Sequence, residues 1–170
     1  EDIAAPAAFV VEEALRKALD IPVFHDDQHG TAVVTLAALW NACRLTGRRI
    51  GDLSVVIVGM GAAGVAVGKI LLNAGVQKIV GVDRSGAVYS GRDNLNPAKE
   101  WFATNTNQDR RMGTLQEVMV GADVFIGLSG PGLVSAADLR TMNPDPIVFA
   151  MANPEPEIRP EDADGLAAVM

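Results

Sequence analysis

At 170 residues, 49% of them hydrophobic, the chain can bury the core of one α/β domain and is too short for two. A formal net charge of −7 with no cluster of Lys and Arg excludes the basic surface that gripping nucleic-acid phosphates requires. Cys43 is the only cysteine, so no intrachain disulfide forms, and its apolar helical setting reads as core packing in a reducing, cytoplasmic environment.

From Glu1 to Asp20 the apolar residues Phe9, Val10, Leu15 and Ala18 fall at near-helical spacing after Pro6, which predicts a surface helix. The acidic N-terminus carries no signal-peptide pattern. Ile21 to Phe24 reads as a short strand delivering the chain into His25-Asp26-Asp27-Gln28-His29, which Gly30 ends. Apolar residues then continue through a helical length from Thr31 to Leu45, with Gly47 as the stop. The most apolar part, Ala32 to Trp40, is far shorter than the roughly 18 residues a membrane span needs.

The centre of the sequence is Ser54 to Gly64. Val55 to Val58 is a β-branched run of the kind buried on both faces of a sheet, and an alanine-rich helical segment follows. Gly59, Gly61 and Gly64 between them have the spacing G-x-G-x-x-G, which lets the chain turn, approach a pyrophosphate closely and pack the helix on the strand. The helix start at Ala62 and Ala63 offers free N–H groups and partial positive charge to phosphates. A second apolar run, Lys78 to Val82, ends in Asp83, about 20 residues on, where this motif places an acid for the ribose hydroxyls.

Arg84 to Gln108 reads as an extended connection with one short helix around Pro97 to Ala103. Thr114 and Glu117 stand at capping-box spacing for a helix to Val120. Asp123 to Leu128 predicts a third strand, Ser129-Gly130-Pro131-Gly132 a turn, Ser135 a cap for a short helix, and Ile147 to Met151 a fourth strand running into Asn153-Pro154. Strands alternating with helices predict a doubly wound parallel sheet, a Rossmann-like α/β domain with ligands beyond the carboxyl ends of its strands. Asp83, Ser129 with Gly130, and Asn153 all fall at that edge. The Asn153 amide could bind a substrate carboxylate or carbonyl, or cap its own turn.

The chemically unusual stretch is His25 to His29. Adjacent carboxylates at Asp26 and Asp27 repel unless a cation offsets them, which suits Mg²⁺ or Mn²⁺. His25 and His29 would suit zinc only on one helical face; after a strand and before Gly30 they read as surface or loop packing. Glu1 and Asp2 form a second acidic pair, readable alone as a solvated helix start.

These stretches together resemble malic enzymes of the bacterial type. The resemblance rests on Glu1-Asp2-Ile3 with Pro6, on Ile21 through Thr31, on the glycine fingerprint, on Phe125 through Gly132, and on Ile147 through Pro154, in family order across the chain. It implies oxidative decarboxylation of malate to pyruvate and CO₂, with reduction of NAD or NADP and a divalent cation. It further implies that Glu1, Asp2 and Asp27 hold Mg²⁺ or Mn²⁺, that Asp26 orients a catalytic lysine, that Thr31 lies near the cofactor phosphates and that Asn153 contacts substrate. Residues 1–170 would then form the NAD(P)-binding domain, the helices of residues 1–50 carrying metal-site residues. The family's general-base lysine and general-acid tyrosine belong to an N-terminal region not found here, and Lys69, Lys78, Lys99 and Tyr89 sit in no matching motif. The expectation is an excised piece that binds nucleotide without turning over malate, from an enzyme that is a dimer or larger. Asp83 favours NAD, while Arg84 beside it could bind the 2′-phosphate of NADP. Rival readings are the cofactor domain of an amino-acid dehydrogenase and a nucleotide-sensing module.

Overall fold

A computed structural model describes residues 3–170. Four parallel strands form the sheet: β1 (Ser54–Val58), β2 (Lys78–Asp83), β4 (Val124–Gly127) and β5 (Ile147–Ala150). A two-residue strand, β3 (Gly86–Ala87), pairs antiparallel with the end of β2, giving the order β3-β2-β1-β4-β5. The sequence pattern does not reveal β3, because two residues after a turn carry no periodicity.

The β-branched run places alternate side chains on opposite faces. Val55 and Ile57 join the core beneath α2 (Asp26–Thr46), α3 (Ala62–Asn73) and α4 (Pro97–Asn105), with Leu39, Leu71, Ile79 and Phe102. Val56 and Val58 face α5 (Leu115–Met119), α6 (Ala136–Leu139) and α7 (Pro160–Ala163), with Val80, Met119, Phe125 and Val148. Strands covered on both sides by helices have no reason to alternate apolar with polar residues, so their runs are continuous.

Local signals hold where the chain closes its own hydrogen bonds. Gly47, in left-handed conformation at φ 68°, ends α2. Thr114 and Ser135 each cap a helix, with Glu117 and Asp138 returning the bond to the cap.

The first fifty residues depart from the sequence expectation at two places. α2 begins at Asp26, not Thr31, so the polar cluster forms its first turn with His25 buried at the N-cap, because the acids Asp26 and Asp27 suit a helix start. Ile21 to Phe24 is not a strand: it pairs with nothing in the sheet, and Ile21 and Phe24 stay exposed. Four apolar residues containing Pro22 satisfy a strand pattern, but a strand exists only where a neighbour accepts its ladder. The preceding helix, α1 (Ala7–Ala18), lies on the surface as expected and buries only Ala8 and Glu12. Its polar clasp to α2 is Glu12: Gln28 donates to Oε2 at 3.1 Å, and His29 Nε2 lies 2.5 Å from Oε1. None of the described helices is long and apolar enough to cross a membrane.

Candidate dinucleotide site

The strand order reverses between β1 and β4, and the crevice for a ligand opens at their carboxyl ends. Gly59 leaves β1 at φ 100°, with its backbone so close to the Leu128 carbonyl that any side chain would collide. Gly64 packs directly on the Gly59 carbonyl, which fastens α3 to the strand. A side chain at Gly61 would meet nothing within 4 Å, so the backbone there borders open space. The three glycines thus divide turn, approach and packing among them, as the spacing predicts. No side chain caps α3, so the first-turn N–H groups of Ala62 and Ala63 are unclaimed by a cap.

Two clefts adjoin at this edge. One of about 430 Å³ runs along Gly59, Gly61 and Leu128; a larger one of about 1050 Å³ reaches past Tyr89, Met112 and Gly130. Asp83, Arg84, Lys99 and Ser129 line both, which places Asp83 at their junction.

Asp83 is not a free carboxylate. Arg92 donates to both of its oxygens, at 2.9 Å and 2.6 Å, and Lys99 Nζ lies 2.5 Å from Oδ2. The Ser85 N–H adds a fourth bond to Oδ1 at 2.9 Å. Burial by itself raises the carboxyl pKa, but hydrogen bonds from Arg92, Lys99 and Ser85 outweigh it and hold Asp83 well below the usual carboxylate range. Arg92 is anchored in turn by the Gly86 and Ala87 carbonyls, each 3.0 Å from Nη1. Lys99 arrives from α4, whose start is fixed by Pro97 and by the Asn96 side chain capping the Lys99 N–H. Asp83 is legible in the sequence, whereas its two cations, 9 and 16 residues further on, are not. The Asn96-Pro97 cap was the available signal, since it fixes where α4 begins and hence which way Lys99 projects.

The structure gathers Gly59, Gly61, Asp83, Arg84, Ser129 and Gly130 at this edge. Ala62, Ala63 and Gly64, at the start of α3, and Asp26, Asp27, Thr31 and Asn153 line neither cleft. Asp26 and Asp27 are exposed in the first turn of α2, where acids suit the helix dipole, and Thr31 is half-buried one turn on, its carbonyl bonded by Thr35 Oγ1 at 2.7 Å. Asn153 is exposed after β5, before a cis bond to Pro154.

For a cation, the donor chemistry of the described residues fits in part. Asp27, with its side chain 55% exposed, offers the oxygen a hard cation takes, whereas a zinc pair is not formed, because His29 is engaged by Glu12. Among the described residues, no three His, Cys, Asp or Glu side chains stand together as a metal site. Glu1 and Asp2, which the family resemblance implies as the other two ligands, lie outside the described residues.

The switch-point crevice, the glycine turn and the acid at the end of β2 define a dinucleotide-binding domain of the doubly wound class. Residues 28–167 match the family model described as the malic enzyme NAD binding domain. The chain belongs to the malic enzyme family. It is 54% identical over 170 residues to an NAD-dependent malic enzyme of Geobacillus stearothermophilus, covering all of this chain and 36% of that protein. It is 47% identical over 163 residues to an NADP-dependent malic enzyme of Halomonas elongata, covering 95% of this chain and 38% of that one. The crystal structure of an NAD-dependent malic enzyme from Thermotoga maritima superposes with a TM-score of 0.94 at 42% identity, over 99% of this chain and 46% of its own. The chain therefore spans less than half the length of each of these relatives.

Proposed function

We propose that this chain is the cofactor-binding part of a metal-dependent malic enzyme that converts malate to pyruvate and CO₂ while reducing NAD or NADP. The observation that carries the reading is Asp83, held ionised at the junction of two clefts, opposite the glycine turn.

In this reading the first turn of α3 receives the pyrophosphate, through N–H groups and the end of the helix dipole. Asp83 accepts from the adenosine ribose hydroxyls in exchange for one of its four present hydrogen bonds, and its negative charge disfavours a 2′-phosphate, which makes NAD the preferred form. Arg84, exposed in both clefts, is the group that would pair with that phosphate in NADP. Ser129 and Gly130 border the cofactor from the loop after β4, and Thr31 of α2 would lie near its phosphates, as the family resemblance implies. Asn153 contacts malate, and Asp26 orients a catalytic lysine supplied from outside this chain. Glu1, Asp2 and Asp27 would hold Mg²⁺ or Mn²⁺, which when bound supplies Lewis-acid polarisation of substrate oxygens. Hydride transfer belongs to the nicotinamide; the chain supplies its placement. This piece by itself binds nucleotide without turning over malate. The whole protein works in the cytoplasm as a dimer or larger assembly, with no nucleic acid or membrane partner.

Fluorescence titration of the chain with NADH and NADPH, with and without Mn²⁺, tests this, alongside the variant Asp27→Asn. The expected result is saturable binding tighter for NADH, with a Mn²⁺ response that the variant weakens about tenfold or more, as loss of a charged ligand does. A chain that binds neither dinucleotide overturns the reading.

A further inference from the structure

The loops after β4 and β5 converge on a side chain that the sequence presents as ordinary surface. Glu157, in the run Glu155-Pro156-Glu157, is fully buried, at 0% exposure. The Ser129 N–H donates to its Oε1 at 2.8 Å, and the Ala152 N–H donates to its Oε2 at 3.2 Å. Ser129 opens the loop that lines both clefts, and Ala152 immediately precedes Asn153. One carboxylate thus holds the cofactor loop by one oxygen and the substrate loop by the other.

The surroundings are built for that carboxylate. A side chain at Gly127, the last residue of β4, would collide with it, so the strand ends in a residue that leaves the space. The backbone beside it is stitched to the same cofactor loop: Gly132 donates to the Pro156 carbonyl at 3.2 Å, and Val134 to the Glu157 carbonyl at 3.1 Å. Among the described residues, no Lys or Arg pairs with Glu157. Burying a carboxylate without a counter-charge is costly, and two backbone donors offset that cost only where both are aimed at it.

We propose that Glu157 is a positioning residue that fixes the spacing between the cofactor loop at Ser129 and the substrate loop at Asn153. This rests on the dinucleotide reading above. A glutamate is required because both of its oxygens accept. Glutamine has the same shape but one acceptor and one donor, so its NH₂ would face a backbone N–H and one loop would be released.

The test is Glu157→Gln in the 170-residue chain, followed by amide NMR and NADH titration. In the unaltered, ligand-free chain, correlation across hydrogen bonds from the Ser129 and Ala152 amides to the Glu157 side-chain carboxyl carbon reads both bonds without any substitution. The expected result is both correlations present in the parent chain. The variant then shifts one of those two amides together with Gly130 or Asn153, and NADH binds about tenfold more weakly. Absence of either correlation overturns the proposal, even if the variant fails to fold. So does a folded variant with unchanged Ser129, Ala152 and NADH affinity. Failure of the parent chain to bind NADH, with both correlations present, refutes the dinucleotide reading and with it the functional part of this proposal, while leaving the bridge itself established.

Discussion

Replacing Asp83 by asparagine should move nucleotide preference toward NADPH. At the junction of the clefts Asp83 pairs with Arg92 and Lys99 beside Arg84, while Asp93 and Glu117 also line the larger cleft, and the substitution removes one negative charge from that setting. A unit charge about 6 Å from another contributes roughly 3 kcal/mol at an effective dielectric constant near 20. Water in an open cleft and about 0.1 M salt reduce this to roughly 1.4 kcal/mol, a tenfold gain for the nucleotide bearing a 2′-phosphate. NADH loses a charged acceptor for its ribose hydroxyls, worth about another tenfold. The ratio of the two dissociation constants should therefore shift by about a hundredfold, read by fluorescence titration of NADH and NADPH at low salt and again at 0.3 M, where the electrostatic part shrinks. A ratio that stays put, or moves toward NADH, would refute the assignment of Asp83 as the ribose acceptor. A thermal melt of the variant separates that outcome from simple unfolding, since Arg92 and Lys99 lose their partner.

Three further outcomes follow from geometry already given. Because the folded carboxyl of Asp83 is depressed below its ordinary value near 3.8, its stabilising contribution is fully present above about pH 4 and is lost as the pH falls through the acid range. An acid denaturation series should show that part of the loss missing in the asparagine variant. Gly64→Ala presses a methyl group onto the Gly59 carbonyl and should cost about 1–3 kcal/mol in denaturant melts, with weaker NADH binding as the turn is displaced. Phe102→Ala empties a fully buried ring site against Gly68 and Gly81 and should cost about 3–5 kcal/mol, lowering the melting temperature by roughly 10 °C.

The sequence exposes most clearly those features whose cause is local. The turn at Gly59, the caps at Thr114 and Ser135 and the stop at Gly47 are each settled within about four residues, and each stands where the spacing places it. Val55 to Val58 is legible because burial on two faces leaves no polar position to disguise it. Ile21 to Phe24 fails the same test, because being a strand depends on a neighbour that the segment does not name. The rest of the site depends on partners far along the chain. Arg92 and Lys99 look like solvated cations until β3 and α4 turn them back onto Asp83. Glu157, between prolines and charges, has the composition of an exposed loop, and its burial follows only from the convergence of two loops that begin 28 and 5 residues upstream. Asp26, Asp27, Thr31 and Asn153 line neither cleft; the residues alone suggest a cation at the acidic pair and a polar contact at Asn153, whereas the role of Thr31 and the division of labour between Asp26 and Asp27 come from the family resemblance.

The clasp at Glu12 bears on how the molecule comes apart. α1 buries Ala8 and Glu12, packs Phe9 against the core and leaves Val10, Val11 and Leu15 in solvent, so its attachment rests on the apolar contacts of Ala8 and Phe9 and on one carboxylate meeting Gln28 and His29. The sheet and its flanking helices, by contrast, share two continuous cores. Such a contrast divides the chain into units of unequal stability: α1 can detach and re-form in local openings that leave α2 and the strands folded. The polypeptide between α1 and α2, with Ile21 and Phe24 already exposed, is then the natural hinge of that opening.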